Sequence, residues 1–294
     1  MNAPDGTERR RMRPREAAVI ALPNGFTLAN LFFGIFGIVA ASRGDFDAAA
    51  RFIVFGAVAD TLDGRIARAT KSGSRFGEEL DSLVDAISFG TAPALIMYFA
   101  VFQSTRWEWI FCFFFTACAV MRLARFNVMQ AGRKTTHFQG LPSPAAGGVL
   151  ATYYWFSQTS LYTETIVADL PWHQMLRFLM LGLGMLMISN VQYAKFPVVN
   201  FRSLQGLLGL LLVIGTIIGI IFLPKQFFFL AGMAYVLYGI GRTVFLGLLD
   251  RLPGRDTADD EDHEEDTPPR RRRRRRRSIR NPSGPDTGHE DTPA

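Results

Sequence analysis

Apolar residues in this chain gather into long stretches separated by short charged loops. Eight such stretches are apparent, at 26–41, 48–66, 80–102, 109–126, 145–161, 176–191, 204–223 and 227–248. A helix crossing the hydrocarbon core of a bilayer needs about 20 mostly apolar residues, and this pattern predicts an all-α, polytopic integral membrane bundle of about eight transmembrane helices. Acidic residues interrupt the second and third stretches, and Pro142 and Pro144 stand at the start of the fifth. No internal repeat with a period of 20–50 residues is visible.

Charge in the loops sets the expected orientation. Arg9, Arg10, Arg11, Arg13 and Arg15 precede the first stretch. Lys71 and Arg75, Arg133 and Lys134, Lys195 and Arg202, and Arg251 and Arg255 fall on the same side. The other side has Arg43, Arg106 and Lys225. Cytoplasmic loops carry the excess of Lys and Arg, so both termini are expected in the cytoplasm. Residues 1–25 are not read as a cleavable signal, because the apolar run 17–22 is short and Pro23-Asn24-Gly25 is expected to break it. They are read as a basic cytoplasmic segment able to lie on the membrane surface.

Composition agrees with this picture: 49% of the 294 residues are hydrophobic, 26 of them Phe, and the net charge is +6. The polar segment 250–294 is expected to be a disordered tail. Its acidic block (256–266) and its arginine run (270–277) cancel, so the excess positive charge belongs to the membrane domain and its loops. A neutralised basic run does not make a nucleic-acid-binding protein, and no specific nucleic-acid partner is expected. Cys112 and Cys118 form neither a disulfide framework nor a metal-ligand pattern, and read as small apolar fillers. Gly215 and Gly219 form a GxxxG, a weak sign of a helix contact.

The chemistry concentrates between the second and third stretches. The residues there read Asp60-x2-Asp63-Gly64-x2-Ala67-Arg68-x8-Gly77-x3-Asp81-x3-Asp85. Asp60, Asp63, Gly64 and Ala67 share one helical face, and Gly77, Asp81 and Asp85 share another. The intervening segment carries Lys71, Ser72, Gly73 and Ser74, a turn signal. Two antiparallel helices would therefore face each other across an acidic stripe at the cytoplasmic end of the bundle. Ionisable groups in a membrane segment are costly unless paired or metal-bound. A solvated helix-end cluster paired with Arg65, Arg68 and Arg75 would account for one or two acids, but not for four at helical spacing with two glycines in register. Gly64 and Gly77 omit side chains where a ligand or another backbone comes close, and Arg68 offers a fixed positive charge to a phosphate.

Carboxylate-only sites suit hard cations such as Mg²⁺ or Mn²⁺. Two such ions can clamp a diphosphate and stabilise attacking and leaving oxygens, and a carboxylate beside them can serve as general base. No Ser–His or Cys–His nucleophile accompanies the acids, so direct transfer of a phosphoryl-type group to an alcohol is the expected reaction.

The spacing resembles, at all eight fixed positions, the signature of the CDP-alcohol phosphotransferase family. That resemblance implies a homodimeric membrane enzyme with a six-helix core, here 26–200, followed by two additional helices at 201–249. It implies displacement of CMP from a CDP-linked donor by an alcohol. By motif position, Asp60, Asp63, Asp81 and Asp85 would bind two metal ions and Asp85 would be the base. Gly64, Ala67, Arg68 and Gly77 would line the CDP site.

Flanking stretches are similar to the phosphatidylserine synthase branch. They are Pro23-Asn24-x2-Thr27-x2-Asn30-Leu31-x2-Gly34, DSLVDAISFGTAPA from Asp81, RLARFN from Arg122, and FQGLPSPAAGG from Phe138. The branch implies CDP-diacylglycerol and L-serine as substrates and phosphatidylserine and CMP as products, in the bacterial inner membrane with the active site on the cytoplasmic side. Choline, inositol phosphate and glycerol phosphate are the alternative acceptors, and a cation- or proton-coupled transporter is the alternative from another class. The carboxylate of serine calls for a cation, for which Arg122 and Arg125 on one helical face are candidates, with Lys71 and Arg75 competing. Asn30, with Asn24 and Thr27, is a candidate to hydrogen-bond the donor, although helix capping would explain Asn24 and Thr27 equally well.

Overall fold

The computed structural model describes residues 14–70, 74–103, 106–130, 138–193 and 204–249. Lys71, Arg133, Lys134, Lys195, Arg202 and the tail with its arginine run lie outside the described residues.

All eight predicted stretches fall on helices. The first is α1 (Pro14–Ser42), which runs unbroken through Pro23. The expected break at Pro23-Asn24-Gly25 does not occur. A proline inside a helix removes one backbone donor, but burial of Thr27 and Asn30 one and two turns later anchors α1 against its neighbours, and packing overrides the local signal. Thr27 Oγ1 donates to the Pro23 carbonyl at 3.2 Å. Gly44, at φ +81°, makes the turn into α2 (Phe46–Thr70), and Asp45 Oδ1 accepts from the Ala48 N–H at 2.9 Å.

Ser74 caps α3 (Arg75–Asp85), its Oγ accepting from the Gly77 N–H at 3.0 Å. The same rod continues through wide π-helical turns at Ala86–Thr91, α4 (Ala92–Met97) and a second wide segment at Tyr98–Phe102. Next come α5 (Trp109–Gln130) and α6 (Ser143–Ser157). Pro142 stands just ahead of α6 and Pro144 in its first turn, where a missing N–H leaves no bond unmade. The two prolines therefore begin the helix rather than weaken it. A short α7 (Ser160–Thr163) and a 3₁₀ turn at Ile166–Asp169 lead to α8 (Trp172–Ile188), α9 (Leu204–Phe222) and α10 (Pro224–Leu249). The only strands among the described residues are β1 (Phe138–Gln139) and β2 (Gln192–Tyr193), paired antiparallel with Phe138 opposite Tyr193.

Four helical segments are long and apolar enough to cross a membrane: Leu22–Ser42, Arg75–Phe102, Trp109–Met129 and Pro224–Phe245. Large apolar side chains such as Phe32, Phe113, Phe178 and Ile221 face outward, which suits a hydrocarbon surrounding and not water. Inside, Phe115, Leu150, Met180, Tyr193 and Phe229 join α5, α6, α8, β2 and α10. A smaller cluster, including Ile53, Phe89 and Ile96, joins α1, α2 and α4. Cys112 and Cys118 are buried in the larger cluster as apolar fill. The GxxxG splits: a side chain at Gly219 would run into the Phe227 ring, whereas Gly215 has no described neighbour within 4 Å.

Successive helices alternate in direction. At one end Thr27 meets Asp63, Asn30 meets Asp85, Ser82 meets Asn127 and Arg122 meets Ser143. At the other, Lys225 meets Asp47 and Arg177 meets Glu108. Glu108 is 2% exposed and also lies 3.3 Å from His173 Nε2. Removing one partner from a buried ion pair costs about 3–5 kcal/mol because the other charge is stranded. Arg177→Met is therefore expected to lower stability by about 3 kcal/mol, with His173 left as the remaining partner of Glu108. Thermal unfolding in detergent measures it, and an unchanged melting temperature contradicts it.

Candidate active site

The end of the bundle where α1 begins, α2 ends and α3 begins collects the acids. The C-terminal turns of α2 carry Asp60 and Asp63, and α3 carries Asp81 and Asp85. Antiparallel passage of the two helices brings their stripes together. One carboxylate oxygen each from Asp60, Asp63 and Asp81 lies within 4.8 Å of the others. Asp85 is not part of that triplet, but its carboxyl neighbours that of Asp60.

Helix α1 is the third wall and holds two of the acids in place. Thr27 Oγ1 lies 3.0 Å from Asp63 Oδ2, and Asn30 Nδ2 donates to Asp85 Oδ1 at 3.4 Å. Asn30 is fully buried, and its backbone carbonyl accepts from Ser88 Oγ at 3.1 Å. Gly56 on α2 makes room for it: a Cβ there would sit 2.8 Å from Asn30 Oδ1. Asn24, Thr27 and Asn30 thus form a polar stripe inside a continuous helix. Capping does not account for them, and Thr27 and Asn30 touch the acids directly.

The two motif glycines differ in their surroundings. A Cβ at Gly77 would lie 3.2 Å from Asn24 Oδ1 and 3.3 Å from Ser74 Oγ, so this glycine lets α1 approach α3. A Cβ at Gly64 would meet only Arg68, at an ordinary 3.5 Å. Nothing in the protein requires Gly64 to lack a side chain. Ala67 is half-buried and Arg68 exposed at the mouth of the site, its charge near Asp63. Arg75 is exposed at the start of α3.

The two arginines of α5 part company. Arg122 is 7% exposed, lies within electrostatic reach of Asp85, and donates from Nη1 to Ser143 Oγ at 2.8 Å. Arg125 turns to the end of α8, donating to the Ile188 carbonyl at 2.6 Å and the Ser189 carbonyl at 3.1 Å. A guanidinium there satisfies orphan carbonyls and complements the helix dipole. Asn127 completes the α5 edge: it accepts from Ser82 Oγ at 3.1 Å and donates to Glu79 Oε2 at 3.2 Å, fixing the turn that carries Asp81.

These supporting groups carried weak sequence signals. Ser143 and Asn127 lie in stretches that point to the family, yet nothing local pairs Ser143 with Arg122 or Asn127 with Ser82. The three-residue spacing of Asn24, Thr27 and Asn30 was the visible clue to a polar α1 face.

The donor set fits a hard divalent cation. It is all oxygen, it is convergent, and Asp81 Oδ1 is buried without a hydrogen-bond partner. Like charges this close oppose one another unless something neutralises them. The cations near the group are Arg68, beside Asp63, and Arg122, beside Asp85, and neither is positioned by its described contacts to neutralise the triplet.

A family profile described as CDP-alcohol phosphatidyltransferase matches residues 20–237. The chain is 34% identical over 226 residues to a protein from Helicobacter pylori (strain ATCC 700392 / 26695) named CDP-diacylglycerol–serine O-phosphatidyltransferase, covering 76% of this chain and 91% of that protein. A protein of the same name from Methanocaldococcus jannaschii is 31% identical over 222 residues, covering 76% of this chain and 94% of its own length. A protein from Methanothermobacter thermautotrophicus named archaetidylserine synthase is 33% identical over 178 residues, covering 60% and 70% respectively. The acidic site thus sits within a match that spans most of the chain, and the chain belongs to the CDP-alcohol phosphatidyltransferase family.

Proposed function

We propose that this protein transfers the phosphatidyl group of CDP-diacylglycerol to the hydroxyl of L-serine, releasing CMP. The observation that carries the reading is the convergence of Asp60, Asp63 and Asp81, with Asp85 held beside them by Asn30. The choice of serine is supported by the names of the relatives.

In this reading Asp60, Asp63 and Asp81, bordered by Asp85, hold two Mg²⁺ or Mn²⁺ ions. Such ions, when bound, neutralise the diphosphate and stabilise the leaving oxygen. Asp85 takes the proton from the serine hydroxyl. The serine oxygen then forms a bond to the phosphorus that carries the diacylglycerol, and the bond from that phosphorus to the oxygen of CMP breaks. Asn30 keeps the Asp85 carboxylate aimed while that proton moves. Arg68 steadies the diphosphate at the mouth, and Gly64, Ala67 and Gly77 leave it room. Arg122 is positioned for the acceptor carboxylate. Arg125, bound to the end of α8, serves by fixing α5. We further place the acids at the cytoplasmic face of a bacterial inner membrane, with eight crossings and a homodimer. The alternation of helix direction and the loop charges support this topology.

The test is product formation by the purified chain in detergent from CDP-diacylglycerol and labelled L-serine, choline, glycerol phosphate or inositol phosphate. Phosphatidylserine and CMP in equal amounts are expected from serine, with less than a hundredth of that rate from the other acceptors, since a polar pocket strongly rejects molecules lacking its matched group. Incorporation of choline and not serine overturns the assignment.

A further inference from the structure

Helix α10 supplies groups to the neighbourhood of Asp85, although the family signature lies far from it in sequence. Tyr235 of α10 lies within electrostatic reach of the Arg122 guanidinium. Its ring packs on that of Tyr193 at 5.3 Å between centroids and 37° between planes. Tyr193 is fully buried and belongs to β2, whose partner β1 leads through Leu141 and Pro142 into Ser143, the residue that holds Arg122. Gly239 lets the Tyr193 ring lie directly on α10, because any side chain there would overlap the ring. The strand pair, the start of α6 and α10 therefore form one wall around Arg122.

That wall presents unused donors. The Tyr193 hydroxyl and Arg122 Nε are both buried with no hydrogen-bond partner among the described residues. Buried donors are almost always satisfied in folded proteins, and leaving one unpaired typically costs about 1–3 kcal/mol. Two of them, beside a guanidinium and a second tyrosine, describe a place for an anion. The guanidinium itself neighbours Asp85. A molecule there must be short: one end reaches the Asp85 carboxylate while the other reaches Arg122. An α-amino acid with a β-hydroxyl has that length and carries its negative charge at the required end.

We infer that Tyr235 and Tyr193, with Arg122, form the pocket for the acceptor's carboxylate, so that α10 helps set acceptor specificity. The inference rests on the serine reading above. Phenylalanine at either position keeps the ring packing and removes only the hydroxyl. In the purified full-length chain, Tyr235→Phe is expected to raise the KM for L-serine about tenfold, equal to about 1.4 kcal/mol, with the KM for CDP-diacylglycerol unchanged. The preference for L-serine over serine methyl ester, which lacks the negative charge, should fall by a similar factor. Tyr193→Phe should act in the same direction.

A merely structural role would move the KM values of both substrates, or kcat alone, and leave the serine-to-ester ratio as in the wild type. Either result overturns the inference, as does a Tyr235→Phe protein with wild-type serine kinetics. If the wild-type chain makes no product from serine, the serine reading and this inference fall together. If it does and the variants match it, only the inference falls.

Discussion

Asp85→Asn is expected to reduce turnover by on the order of 10³-fold, the scale on which a positioned general base contributes. The geometry makes this variant cleaner than one at any other acid. Asp85 stands outside the convergent triplet, and one of its oxygens accepts from Asn30 Nδ2. An asparagine has the same shape and can offer its amide oxygen to that donor, so the tie between α1 and α3 survives. What is lost is the capacity to take a proton. The protein should fold, with a melting temperature in detergent close to wild type, and should bind CDP-diacylglycerol. Turnover at saturating serine is the decisive reading. A variant that retains full turnover shows that the proton goes elsewhere.

How much of this was legible beforehand follows from which interactions are local. The helices are written in long apolar stretches, a signal averaged over many residues, and every predicted stretch is helical. The acidic motif was legible because its residues repeat at helical spacing and a short turn folds one half onto the other. Groups that meet through tertiary packing were not. Ser143 lies 21 residues from Arg122, and Ser82 lies 45 from Asn127. No periodicity links such pairs.

Pro23 shows the opposite error, a strong local breaker overruled by the burial of α1. Membrane crossings were harder to count than helices. A helix such as α2 has its hydropathy diluted by the very charges that do the chemistry, while α6 has only 15 residues. The boundary at residue 200 drew a line between α8 and α9, yet α10 packs on α6 through Phe229 and Phe156, stacked at 4.7 Å. The family match, too, runs to residue 237. Short motifs crowd into the first 150 residues, and the contribution of α10 is one of shape and single hydroxyls, which no motif records.

Removing divalent ions should abolish activity, and the same experiment has a second, independent reading in stability. Asp60, Asp63 and Asp81 face one another with little positive charge to offset them. Without metal that proximity opposes folding, whereas a ligand bound only by the folded state stabilises it, by about 2.7 kcal/mol at a hundred times its dissociation constant. Treatment with EDTA should therefore stop product formation and lower the melting temperature, and added Mg²⁺ or Mn²⁺ should restore both. Asp81→Asn separates the two contributions by sign. Asp81 Oδ1 is buried and unpartnered, so neutralising this residue relieves repulsion without breaking a hydrogen bond at that oxygen. In EDTA the variant should be more stable than wild type, by about 1 kcal/mol if the pair interactions resemble ordinary partly screened charges. In Mg²⁺ the order should reverse, because the variant has lost a ligand and gains little from the ion. Activity should be lost in both conditions. A variant less stable than wild type in EDTA would mean that Asp81 is held by the protein itself, and full wild-type turnover without any divalent ion would remove the metal from the mechanism.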